Sequence, residues 1–129
     1  MTPELAALLH GAFVVGIGSE DTPSRERRAR WHVRLADHRE LDLYFANAAT
    51  AFGVGVAYEH VGELRPFNSA HALGAEIRRA ELRDGRPYFS LATRRGSQIV
   101  SIGLQKDPTA PGFVLARPHG ADRGDRKST

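Results

Sequence analysis

The fold turns on Arg30-Trp31-His32-Val33-Arg34-Leu35-Ala36-Asp37-His38-Arg39-Glu40-Leu41-Asp42-Leu43-Tyr44-Phe45-Ala46. Trp31, Val33 and Leu35 alternate with Arg30, His32 and Arg34, and Leu41, Leu43 and Phe45 alternate with Glu40, Asp42 and Tyr44. A period of two marks strands with one apolar face. A loop of Asp37-His38-Arg39 joins them as an antiparallel hairpin. It sets Leu35 opposite Leu41, Val33 opposite Leu43 and Trp31 opposite Phe45, with Arg34 against Asp42 and His32 against Tyr44 on the other face. A slip of one residue would place apolar side chains against charged ones, so the pattern selects this pairing. Trp31 is therefore expected in the core, and Tyr44 on the polar face beside His32 and Arg30.

Upstream, Thr2-Pro3-Glu4 starts a helix with a capping hydroxyl, a proline at the first helical position and an acid in the first turn. Leu5, Leu8 and Leu9 form its apolar face, and Gly11 ends it. Phe13 to Gly18 reads as a short strand close to another backbone at its glycines. Ser19 to Ala29 is polar, contains Pro23 and lacks apolar period, which predicts an exposed, mobile loop carrying Arg25, Arg27 and Arg28.

Downstream, Asn47 to Ala51 suits one helical turn, Phe52 to Tyr58 suits a glycine-weakened strand, and Pro66 closes a loop. Asn68 or Ser69 caps a helix with Leu73 and Ile77 on one face. Asp84-Gly85 is the strongest turn signal in the chain and predicts a hairpin between Ala80-Glu81-Leu82 and Tyr88-Phe89-Ser90-Leu91. The preceding helix must then stop near Arg79. A turn at Arg95-Gly96-Ser97 leads to a strand over 99–104. Pro108, Pro111 and Pro118 predict a tail without regular structure over 107–129, following one globular domain over 1–106.

No strand–helix alternation is present. The expected class is α+β: a small domain with a curved, mainly antiparallel sheet or partly open barrel, plus two short helices. Two meanders around a helix are also the element order of many oligonucleotide-binding barrels, a likeness of pattern alone.

The chain has 129 residues and 41% hydrophobic content, enough for one domain with a buried core. It has no cysteine, which removes disulfides, thiolate metal sites and Cys–His dyads and fits a cytoplasmic setting. No apolar run reaches membrane-spanning length, so no membrane partner is expected. Lone Gly16-Ile17-Gly18 and Gly53-Val54-Gly55 lack the further residues of a nucleotide-binding fingerprint. The six histidines are scattered in sequence. His60 with Glu59 and Glu63 comes nearest to a metal set, and neither metal nor cofactor is expected.

The charge is segregated. Residues 24–39 carry +4 and residues 75–96 carry +3, while residues 40–74 carry −3. Sixteen of the 18 basic residues are arginines, which suit bidentate phosphate contacts and stacking. No nucleophile or acid–base constellation is visible in the linear sequence. The expectation is a non-enzymatic nucleic-acid-binding module, single-stranded or backbone-read, using Arg25, Arg27, Arg28, Arg30, Tyr44, Arg78, Arg79, Arg83 and Arg86. The alternative is a small interaction or inhibitor module docking on a protein partner through the same arginines.

Overall fold

The computed structural model describes residues 1–21, 27–46, 54–60, 62–104 and 113–120. Helix α1 (Pro3–Leu9) is followed by β1 (Ala12–Asp21), β2 (Arg27–Arg34), β3 (Glu40–Ala46), β4 (Val54–His60) and β5 (Glu63–Pro66). A single 3-10 turn (Ser69–Ala72) leads to β6 (Glu76–Arg83), β7 (Arg86–Thr93), β8 (Gly96–Leu104) and β9 (Phe113–Pro118). All nine strands form one antiparallel sheet in the order β5-β4-β8-β7-β6-β1-β2-β3-β9. The end strands β5 and β9 are not paired to each other, so the sheet is curved but open and no barrel closes.

Curvature is visible in the core. Trp31 on β2 meets Phe45 on β3 edge-on, with centroids 4.8 Å apart, and reaches Phe89 on β7 at 5.8 Å. β7 is three places from β2 in the sheet, so the sheet must curl to bring these rings together. Trp31, Phe45, Phe89, Leu43, Ile77 and Val100 are fully buried on this concave side. α1 packs on β6 and contributes Ala6 and Leu9 to the same core. Thr2 Oγ1 accepts the Leu5 N–H at 3.1 Å, the cap expected from the sequence.

The β2–β3 hairpin exists, with its apolar face inward, but its register differs from the one expected. Trp31 pairs with Leu43, Val33 with Leu41, His32 with Asp42, Arg34 with Glu40 and Arg30 with Tyr44. The loop is Ala36-Asp37-His38: Leu35 N–H donates to Arg39 O, and His38 takes a φ of 72°. Asp37 Oδ1 accepts the Arg39 N–H at 3.0 Å and tightens the bend. A two-residue shift keeps every side chain on its face, so alternation alone cannot exclude it.

Four other expectations are corrected. First, the polar segment expected as a loop over 19–29 largely continues the ladder. β1 runs to Asp21 and β2 begins at Arg27, with Glu20 opposite Arg28 and Asp21 opposite Arg27. Second, the helix expected after Asn68 is one 3-10 turn. Asn68 Oδ1 does cap it, accepting the Ala70 N–H, but Gly74 adopts a φ of 81° and the chain turns into β6. Buried Ile77 and Ala80 are three apart, a helical spacing produced here by a bulge between Ile77 and Arg79. Third, Glu63–Pro66 is strand β5 after a turn at Gly62, not a loop. Fourth, Phe113–Pro118, inside the segment expected to lack regular structure, pairs with β3 along its whole length. Pro118 stands at the strand's last position, where no further ladder donor is needed. The whole of the expected 47–51 turn, and residues 107–112 and 121–129 of the expected tail, lie outside the described residues.

The Asp84-Gly85 hairpin forms as expected. Arg83 pairs with Arg86, and the two loop residues take φ values of 52° and 78°. Positive φ at both positions is the primed turn that matches strand twist.

Candidate functional site

The convex side of β1, β2, β3 and β9 carries rows of polar side chains set by register. One row runs Phe13, Arg34, Glu40. The next runs Gly16, His32, Asp42, Arg117. A third runs Gly18, Arg30, Tyr44, Leu115. The bare Gly18 leaves room for the Arg30 side chain, since a Cβ at that position would sit 2.9 Å from an Arg30 guanidinium nitrogen. Arg30 therefore lies flat across β1, half-buried, with its Nε unpartnered.

The first row opens into a groove. One depression is lined by Phe13, Val15, Arg34, Leu73 and Gly74. A second, sharing Leu73 and Gly74, continues to His71, Thr93, Arg94 and Arg95. Gly74 N–H donates to Val14 O at 2.7 Å, and this contact holds the Leu73 turn against β1. Phe13 and Leu73 are 48% and 49% exposed, so about half of each apolar side chain faces water along the groove. Arg34, Arg94 and Arg95 are exposed at its rims and make no side-chain ion pair among the described residues. The result is an apolar floor between exposed guanidinium groups, with Glu40 across the ladder from Arg34.

The sequence-predicted residues are distributed differently. Arg25 lies outside the described residues, and Arg27 and Arg28 are placed by backbone alone, on β2. Tyr44 is not an open stacking surface. It is 4% exposed, with the Arg117 guanidinium 5.5 Å from its ring centroid. Its position on the polar face holds, but β9 returns alongside β3 and brings the arginine that covers it.

Arg78, Arg79 and Arg83 are exposed on β6 and tied to acids on their own strand. Arg78 Nε lies 3.9 Å from Glu76, Arg79 is 3.3 Å from Glu81, and Arg83 Nε donates to Glu81 Oε1 at 2.7 Å. The Glu81 carboxyl is held below its ordinary range, first by that Arg83 hydrogen bond. The same bond raises Arg83. Arg86 donates to Tyr88 Oη at 3.1 Å, and Arg83 stacks over the Tyr88 ring at 4.6 Å. These interactions neutralise or occupy much of that basic hairpin.

Among the described residues the two basic segments approach each other at the groove, through Arg34 of one and Arg94 and Arg95 of the other, and diverge elsewhere. β1 and β6 pair only where both begin, at Ala12 with Ile77 and Phe13 with Glu76. Being antiparallel, they then run in opposite directions, one toward Arg27 and the other toward Arg83. Arg34 is the arginine that the junction brings beside Phe13.

The structure assembles one cluster that the sequence conceals. His32 and His119 stack with centroids 3.7 Å apart and planes within 5° of parallel. Glu40 Oε1 is 2.6 Å from His32 Nε2, and Asp42 Oδ1 is 2.8 Å from His119 Nδ1. Asp42 is 5% exposed, so its carboxylate is buried against the ring it holds. His119 N–H also donates to Glu40 O at 3.1 Å. Residues 32 and 119 are distant in sequence, and only the return of β9 beside β3 joins them. The one legible signal is that His32, Glu40 and Asp42 all occupy polar-face positions of the same hairpin. Among the described residues, no group of three or more His, Asp or Glu side chains is arranged to hold a metal ion. Among them too, no helix is long and apolar enough to cross a membrane, which leaves membrane β-barrels untouched.

No protein-family model, curated protein or solved structure matches the chain.

Proposed function

We propose that this protein binds single-stranded nucleic acid through the groove between Arg34 and the Arg94-Arg95 turn. The observation that carries this reading is exposed Phe13 and Leu73 between arginines that make no ion pair among the described residues. Bases would rest on the apolar floor, and the guanidinium groups would take phosphates by bidentate hydrogen bonds. Arg30 extends the cationic path along β2. Recognition of this kind is sequence-tolerant, because every base has a stacking face and every backbone carries phosphate. Arg78, Arg79 and Arg83 contribute less in this reading than their number suggests, since each already faces an acid.

Anisotropy titrations with labelled 20-nucleotide DNA and RNA at several salt concentrations test the proposal. Binding at low salt that weakens steadily with added salt supports it. Absence of binding at low salt, or submicromolar binding indifferent to salt, rejects it.

The apolar share of the groove supports a second reading, the docking of an acidic segment of a protein partner as a small interaction or inhibitor module. Pull-down from lysate with and without nuclease separates the two. A stoichiometric protein retained after nuclease favours the partner, and loss of everything after nuclease favours nucleic acid.

A further inference from the structure

We infer that His32, Glu40, Asp42 and His119 form an acid–base site that cleaves RNA held along the adjoining cationic groove. The inference rests on the nucleic-acid reading above.

Position is the first argument. Arg34 stands opposite Phe13 on one side and opposite Glu40 on the other, so the groove runs directly into the cluster. Arg117 stands opposite Asp42 and flanks the far side. A strand with a base on Phe13 and a phosphate on Arg34 has its neighbouring phosphate within reach of the imidazoles, because successive ladder positions are about 3.3 Å apart along a strand.

The second argument is how the rings are held. A carboxylate on one ring nitrogen fixes tautomer and orientation and leaves the other nitrogen to exchange protons. Asp42 holds His119 at Nδ1 and Glu40 holds His32 at Nε2, so the working atoms are His119 Nε2 and His32 Nδ1. The His119 side chain is 31% exposed, and Gly16 opposite His32 leaves no side chain on that flank. The charged groups that face the pair are Glu40 and Asp42 from β3, Arg30 and Arg34 from β2, and Arg117 from β9. Among the described side chains, β1 presents Gly16 and Gly18 there.

The third argument is chemical. Two imidazoles supply a general base and a general acid but no nucleophile, so a substrate that supplies one beside the scissile phosphate suits them best. The ribose 2′-hydroxyl does so. The neutral imidazole takes the 2′-hydroxyl proton, and O2′ attacks the adjacent phosphorus. The P–O2′ bond forms as the P–O5′ bond breaks, and the charged imidazole protonates the departing 5′-oxygen. One proton is taken and one given, and exchange between the two rings and water restores the starting state. The products are a 2′,3′-cyclic phosphate and a 5′-hydroxyl end. Arg34 and Arg117 offset the charge that develops on the phosphoryl oxygens.

The test uses the full chain with labelled RNA, the same sequence in DNA, and 2′-O-methyl RNA, all in EDTA from pH 5 to 8. The expected result is cleavage of RNA alone, with 2′,3′-cyclic phosphate ends and a bell-shaped pH profile. His32→Asn and His119→Asn should each slow cleavage about 100-fold or more while affinity for the DNA strand stays within about twofold. The wild-type protein decides the matter even if a variant fails to fold. Cleavage of the 2′-O-methyl strand, or products without the cyclic phosphate, overturns the mechanism. Binding of RNA without cleavage overturns this inference and leaves the binding proposal standing. Failure to bind any strand rejects the binding proposal, and absence of turnover on the dinucleotide uridylyl-adenosine, too short to need the groove, then rejects the site as well.

Discussion

Replacing Arg34, Arg94 and Arg95 together by glutamine separates recognition from folding. None of the three makes an ion pair among the described residues, and all are exposed, so each change should alter stability by no more than about 0.5 kcal/mol. The effect on binding is larger and has a defined form. Each phosphate contact on a single strand contributes about −0.7 to the slope of log affinity against log salt. Arg30, Arg34, Arg94 and Arg95 together predict a slope of about −2.8, and the triple variant about −0.7. Between 50 and 200 mM salt the wild-type affinity should thus fall about 50-fold, and that of the variant about threefold. Anisotropy with a labelled DNA 20-mer measures both slopes without interference from any cleavage, and a thermal melt checks the fold. An unchanged slope in a folded variant would refute the assignment of these arginines as phosphate contacts. A collapse of the melting transition would show that they are structural after all.

Other outcomes follow from the core, the turns and one carboxylate. Trp31→Ala removes a fully buried ring that joins Phe45 to Phe89 and should cost about 3–5 kcal/mol in a denaturant titration. Gly85→Ala forces a side chain into a φ of 78° and should cost about 1–2 kcal/mol, whereas Gly96→Asn, in another positive-φ position, should cost less than Gly96→Val by the same assay. Asp37 is held below the ordinary aspartate range, first by the Arg39 backbone N–H and then by the Arg39 side chain. A lowered folded-state value stabilises the fold above the unfolded-state range, and the benefit disappears as pH falls through the folded value. Wild type should therefore melt above Asp37→Asn at pH 7, with the gap narrowing below the normal aspartate range.

Local chemistry was legible where neighbours in sequence are neighbours in space. The Thr2 cap, the β2–β3 and β6–β7 hairpins, the primed Asp84-Gly85 turn and the burial of Trp31 each depend on residues within one element or one turn. The same locality explains the misreadings. Leu73 and Ile77 stand at helical spacing, yet Gly74 at a φ of 81° turns the chain between them into β6, a break that the spacing does not reveal. The β2–β3 register moved by two because alternation is blind to even shifts, and the choice fell to His38 and Asp37 in the loop.

The sequence by itself determined a small domain built on a mainly antiparallel sheet with one apolar face, and arginines segregated along the chain. Those properties come from period-two alternation, turn residues and charge order. Glu76 and Glu81 stand on the same face of β6 as Arg78, Arg79 and Arg83, a pairing that follows once the segment is a strand, whereas tertiary structure alone brought Arg34, Arg94 and Arg95 around Phe13 and Leu73. Tertiary structure alone also placed β9 beside β3, covering Tyr44 with Arg117 and stacking His119 on His32. A sheet brings residues together through the ladder, at a distance along the chain that no local pattern records. The candidate site lies where two such long-range pairings meet.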